Sequence, residues 1–156
     1  MRLALFQPDI AANAGTLIRL GACMNVAVDI IEPCGFPFGD AAFRRAGMDY
    51  VQQANVSRLV TWDAFRNGNP TRLVLATTKS ALPYTAFAFD ENDTLLLGRE
   101  SAGVPPDVAA LCAASICIPM KTGTRSLNVA VAGAMILGEM IRQVRTTAGT
   151  PIETNV

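Results

Sequence analysis

The chain has 156 residues, 51% of them hydrophobic, with 13 basic and 13 acidic side chains and no histidine. That length fits one domain with a sizeable core, and that apolarity excludes a disordered chain. Zero net charge argues against a nonspecific nucleic-acid binder, which carries a basic excess, and the missing histidine removes the usual general base at neutral pH.

In chain order, RLALFQ (2–7) is a short apolar strand ended by Pro8. Residues 14–24 place Leu17, Leu20, Gly21 and Met24 on one helical face. VAVDII (26–31) reads as a second buried strand, and DAAFRRAG (40–47) as a short helix stopped by Gly47. VSRLVTW (56–62) is a strand candidate, followed by a short helix over 63–68 with Asp63 as its cap. RLVLATT (72–78) and TLLLG (94–98) are the clearest later strands. PPDVAALCA (105–113) has Pro at a helix start, SICIP (115–119) is a final strand, and 127–145 form the last helix. The tail 151–156 carries no pattern and is expected to be mobile, leaving 1–150 as a single domain.

Alternating strands and helices predict an α/β fold with a mostly parallel sheet and helices on both faces. The N-terminal apolar run is too short for a secretion signal, and the 127–141 run is interrupted by Glu139 and too short to span a bilayer. A cytoplasmic protein without a membrane partner is expected. Cys23, Cys34, Cys112 and Cys117 form no C-x-x-C pair, so they read as buried small hydrophobes in a reducing compartment rather than as a metal site.

Ligands of such sheets bind beyond the carboxyl ends of the strands, which singles out three loops. In QPDIAANAGTLIR (7–19), Asn13 stands as a helix cap with Gly15 behind it, a place for an anion, and Arg19 lies about one turn further on. LLLGRESAGVP (95–105) puts Gly98, Glu100 and Gly103 between strand and helix; it is neither a Rossmann fingerprint nor a P-loop. IPMKTGTRSLN (118–128) leads into the last helix, with Ser126 or Asn128 as its cap and Lys121 and Arg125 adding positive charge. Each loop alone is compatible with an ordinary solvated turn.

Together and in this order, N-A-G-T-L-I-R (13–19), L-L-L-G-R-E-S-A-G-V-P (95–105) and I-P-M…R-S-L-N-V-A-V-A (118–132) resemble the SPOUT class of RNA methyltransferases. I-I-E-P-C-G-F (30–36), R-R-A-G-M-D-Y (44–50) and the lack of an added RNA-binding domain make the chain similar to the small tRNA 2′-O-methyltransferases of wobble cytidine or uridine 34 in leucine tRNAs. The resemblance implies a C-terminal trefoil knot that binds S-adenosylmethionine, no metal, and a homodimer with its active site at the subunit boundary. It also implies a tRNA anticodon arm as substrate, not DNA. The last helix is compatible with a dimer, being apolar on two faces: Val129, Ile136, Met140 and Val144 on one, Leu127, Val131, Ala134 and Ile141 on the other.

By position, the resemblance assigns cofactor contacts to Ala76, Gly98, Ile118, Ser126 and Leu127. It assigns Arg19 to the management of the ribose hydroxyl. Arginine is not deprotonated in proteins, so orienting a phosphate or the hydroxyl suits it better than acting as a base. Asn13 and Glu100 would orient Arg19 or the ribose, and Asn128 would hold cofactor or substrate. Arg44, Arg45, Lys79, Lys121 and Arg125 are candidates for RNA phosphates. Three other readings stay open at this point: another tRNA or rRNA position, a non-catalytic RNA-binding protein of the same fold, and an enzyme for another nucleotide-like ligand.

Overall fold

A computed structural model describes residues 1–37, 55–68 and 71–148. The expected helix over 40–47, Arg44 and Arg45, and the tail 151–156 lie outside the described residues. Six strands, β1 (Arg2–Phe6), β2 (Ala27–Ile31), β3 (Val56–Leu59), β4 (Leu73–Ala76), β5 (Thr94–Leu97) and β6 (Ala114–Ile116), pair in the order β3-β2-β1-β5-β4-β6. Every pairing is parallel. The described helices are α1 (Ala11–Met24), α2 (Trp62–Gly68), α3 (Pro106–Ala110) and α4 (Val129–Ala148).

Successive strand side chains point to opposite faces, so continuous apolar runs need cover on both. Leu3, Leu5, Val28, Ile30, Val74, Leu95 and Leu97 enter one core with Leu17 and Ile18 of α1 and Ile136, Leu137 and Met140 of α4. Ala4, Phe6, Ile31, Leu73, Leu75 and Leu96 enter a second with Phe65 of α2 and Val108 of α3. Two buried acids, one in β2 and one just before β5, are paired. Asp29, 2% exposed, accepts from Arg2 Nε at 2.8 Å, and fully buried Asp93 accepts from Arg72 Nη2 at 2.7 Å.

The connection from β4 to β5 wraps around β6. The Thr77 amide donates to Ile116 O on one side of that strand, while Cys117 N–H donates to Leu82 O and Tyr84 N–H to Cys117 O on the other. Further on, Gln143 of α4 accepts from Phe89 N–H at 2.9 Å and donates to Phe87 O at 3.1 Å, pinning the same connection to the helix. The chain leaving β6 is thereby flanked by β4 on one side and by the 77–89 segment on the other.

Several boundaries differ from the sequence expectation. α1 starts at Ala11 with Ile10 at its N-cap, so Asn13 is inside the helix rather than capping it. Asn13 cannot cap because its own N–H already donates to Ile10 O, and its side chain is drawn into tertiary bonds. Gly15 is likewise a buried helix-interior residue, not an N-terminal anion cradle. α2 is capped by Thr61, whose Oγ1 accepts from Ala64 N–H at 3.1 Å, and Asp63 sits in its first turn. α4 begins at Val129, two residues later than expected, because Asn128 rather than Ser126 caps it: Asn128 Oδ1 accepts from Ala130 and Val131 N–H at 2.8 and 3.2 Å. The four cysteines are free thiols, but none is fully buried and Cys23 is exposed.

α4 approaches α1 and β5 so closely that a Cβ on Gly133 would lie 2.7 Å from Leu17 Cδ2 and 2.9 Å from Leu97 Cδ1. Both leucines are packed in the core and cannot swing into solvent. Gly133→Val is expected to cost about 1–3 kcal/mol of stability by overpacking. Urea denaturation should show a lower midpoint with an unchanged m value.

Candidate active site

In a parallel sheet the carboxyl ends of all strands share one edge. Here the segments following β1, β4, β5 and β6 meet the start of α4 around one cleft of about 1120 Å³. Ala76, Gly98, Ile118, Ser126 and Leu127 all lie in its wall, as do Asn13, Glu100 and Asn128. Ala76, Gly98 and Ile118 are half-buried at or just beyond strand ends, and Ser126 and Leu127 are exposed on the last loop. Arg19 does not line this cleft. It is exposed on α1, about 9 Å along the axis from Asn13 and turned roughly 240° away.

Three side chains, one from the first turn of α1, one from the loop after β5 and one from the cap of α4, are bonded in series. Asn13 Nδ2 donates to Glu100 Oε1 at 2.9 Å, and Asn128 Nδ2 donates to Asn13 Oδ1 at 2.9 Å. Asn128 Oδ1 then caps α4. The relay therefore ties the first helix, the loop after β5 and the start of the last helix into one unit.

The loop after β5 is closed on itself. Arg99 and Gly103 exchange backbone hydrogen bonds at 3.0 and 2.8 Å, and Gly103 adopts φ +69°, a left-handed conformation that favours glycine. Gly98 lies beneath this closure: a Cβ there would be 2.6 Å from Gly103 C and 3.0 Å from Val104 N, both backbone atoms. The glycine at the end of β5 is thus required by the loop itself.

Asp9 holds the same loop from outside. Its Oδ1 accepts from Arg99 Nη2 at 2.9 Å and Nε at 3.2 Å, while Oδ2 accepts from Ser101 Oγ at 2.6 Å and Ser101 N–H at 3.0 Å. Its own N–H donates to Glu100 Oε2 at 2.8 Å. The bonds from Ser101 and then Arg99 hold the Asp9 carboxyl down at about 2. Sequence reasoning missed Asp9, Arg99 and Ser101 as a cluster. An Asp after a strand and before a helix signals only a local cap, and its partners are some 90 residues away in the chain.

A parallel α/β sheet with a loop-lined cleft at its carboxyl edge is an architecture that holds a ligand beyond the strand ends. The chain belongs to the SpoU rRNA Methylase family, whose sequence profile matches residues 1–138. It is 55% identical over 153 residues to the tRNA (cytidine(34)-2′-O)-methyltransferase of Ancylobacter novellus, covering 96% of this chain and 97% of that one. A solved structure described as giving insights into the 2-OH methylation of C/U34 on tRNA superposes with a TM-score of 0.88 at 32% identity, covering 96% of this chain and 97% of the other. An AdoMet-bound rRNA methyltransferase from Sinorhizobium meliloti superposes with a TM-score of 0.82 at 25% identity, covering 90% of this chain and 55% of the other. No helix among the described residues is long and apolar enough to cross a membrane.

Because the Asp9 carboxyl titrates at about 2 in the folded chain against an ordinary 3.8, its contribution is full above the ordinary value and is lost as pH falls through about 2. The stability difference between wild type and Asp9→Asn is therefore expected to be constant from neutral pH down to about 4 and to close between about 4 and 2. Urea titrations across that range measure it.

Proposed function

We propose that this chain methylates the 2′-hydroxyl of the wobble nucleotide, cytidine or modified uridine at position 34, in leucine tRNAs, with S-adenosylmethionine as methyl donor. It does so in the cytoplasm, as a homodimer that grips the anticodon arm. The observation that carries this reading is the bonded series Glu100–Asn13–Asn128 in the wall of the cleft, because it joins the three segments on which the family resemblance rests. The close relative and the superposing structure above, both named for position 34 of tRNA, support the choice of nucleotide.

The residues present fit the proposed co-substrate. Ile118, Leu127 and Ile136 offer an apolar wall for a flat base, and Glu100, Ser126 and Asn128 line the same cleft with polar groups. S-adenosylmethionine supplies a methyl carbon already activated by its sulfonium. The chain's task is then to orient the ribose hydroxyl in line with that carbon and to keep water out. Ala76, Gly98, Ile118, Ser126 and Leu127 hold the donor; Glu100, Asn13 and Asn128 form the rigid rim against which the ribose is placed.

Arg19 is the proposed cation for the substrate, fixing the hydroxyl or its neighbouring phosphate while a phosphate oxygen or water takes the proton. Its position away from its own cleft suits a dimer in which it serves the partner's cleft. Exposed apolar side chains on and just before α4 support that assembly: Leu127 before the helix and Val131 and Met135 on it are 40%, 49% and 39% exposed in the single chain. Lys79, Lys121 and Arg125 are exposed on the loops around the cleft and serve the RNA backbone.

The decisive experiment is methylation of tRNA from a strain lacking the modification, with the product nucleotide mapped by mass spectrometry. Methyl transfer to the 2′-oxygen of nucleotide 34 is expected; transfer elsewhere, or none, sinks the reading. Arg19→Ala is expected to fold and to bind S-adenosylmethionine by calorimetry, yet to lose about 100-fold in turnover. Wild-type turnover in that variant would exclude the role. Val131→Asp should shift the chain to a monomer in sedimentation and abolish transfer together with the dimer.

A further inference from the structure

The Asp9 carboxylate takes four hydrogen bonds from one short loop, two from Arg99 and two from Ser101. Yet Asp9 is not a core residue: its side chain keeps 19% exposure, and no apolar cluster depends on it. What it secures is the orientation of the residue between those two. With Arg99 and Ser101 both turned onto Asp9, Glu100 is left reaching across to the Asp9 amide and to Asn13. The turn carrying Asp9 is itself braced from behind. Gly35 N–H donates to Pro8 O at 2.9 Å, and a Cβ on Gly35 would lie 2.9 Å from Asp9 Cα.

We propose that Asp9 is a positioning residue for the methyl transfer: by clamping Arg99 and Ser101 it aims Glu100 at Asn13, and through Asn13 it sets Asn128 at the cleft. The inference rests on the function proposed above. Two carboxylates so close would repel if both faced the same donors. Here their donors are divided: Asp9 takes the guanidinium and the hydroxyl, and Glu100 takes a backbone amide and a side-chain amide. Charge-assisted bonds of this number hold geometry tightly. Because Asp9 acts through Glu100, its loss and the loss of the Glu100 charge should not add.

The test is a double-mutant cycle on tRNA methylation with Asp9→Asn, Glu100→Gln and the pair, each checked for folding by circular dichroism and thermal melting. Asp9→Asn is expected to lower kcat about tenfold while the KM for tRNA stays within about twofold. Adding it to Glu100→Gln should cause no further loss. Should Asp9→Asn fail to fold, Ser101→Ala and Arg99→Ala remove donors from the loop while leaving the turn intact, and the same non-additivity with Glu100→Gln is expected. Losses that multiply in the pair, or wild-type kcat in Asp9→Asn, overturn the inference and leave the proposed function standing. A wild-type chain that transfers no methyl group to tRNA overturns both.

Discussion

One buried amide keeps three distant segments in register. Asn13 is 8% exposed, and both ends of its side chain are used. The direction of the whole series is dictated by Glu100, because an ionised carboxylate can only accept. Asn13 must therefore turn its NH₂ toward Glu100, which leaves its oxygen for Asn128. Asn128 must then donate, which leaves its own oxygen for the free amides at the start of α4. An aliphatic residue at 13 would remove both bonds at once, leaving half-buried Glu100 with the Asp9 amide and exposed Asn128 to water, so the three segments would no longer be tied together.

The rest of the structure brings these groups within reach. A parallel sheet gathers the ends of β1, β4, β5 and β6 on one edge, and the apolar helices behind it fix where their loops begin. α4 packs against α1 and β5 at the distance Gly133 allows. Gln143, further along the same helix, holds the β4–β5 connection by two backbone bonds. The loop after β5 and the start of α4 are thus held on the walls of the cleft. That suits a reaction whose main demand on the protein is alignment.

Charge follows the same division between scaffold and rim. Arg2 with Asp29 of β2, and Arg72 with Asp93 just before β5, neutralise buried acids that do not line the cleft. At the carboxyl ends, Arg99 is taken up by Asp9, while Lys79, Lys121 and Arg125 remain exposed around the opening. A chain of zero net charge can in this way present a locally basic rim without a basic excess overall.

The apolar runs of β1, β2, β4 and β5 were legible in the sequence because a strand buried on both faces has no alternative to continuous hydrophobicity. Pro105 and Pro106 marked a helix start, and Gly98 a tight strand end, for equally local steric reasons. The family motifs pointed to Asn13, Glu100 and Asn128. Their bonding was not legible: Asn13 looked like a cap because local rules assign a short polar side chain to its nearest free amide. The fold instead offered it Glu100 and Asn128, 87 and 115 residues away. Asp9 was hidden for the same reason. Sequence by itself thus settled which segments are strands and which loops carry polar groups, since these follow from burial and backbone sterics within a few residues. Which polar groups meet was decided only in the tertiary structure, because hydrogen-bond partners are chosen by proximity in space and the sheet order sets that proximity.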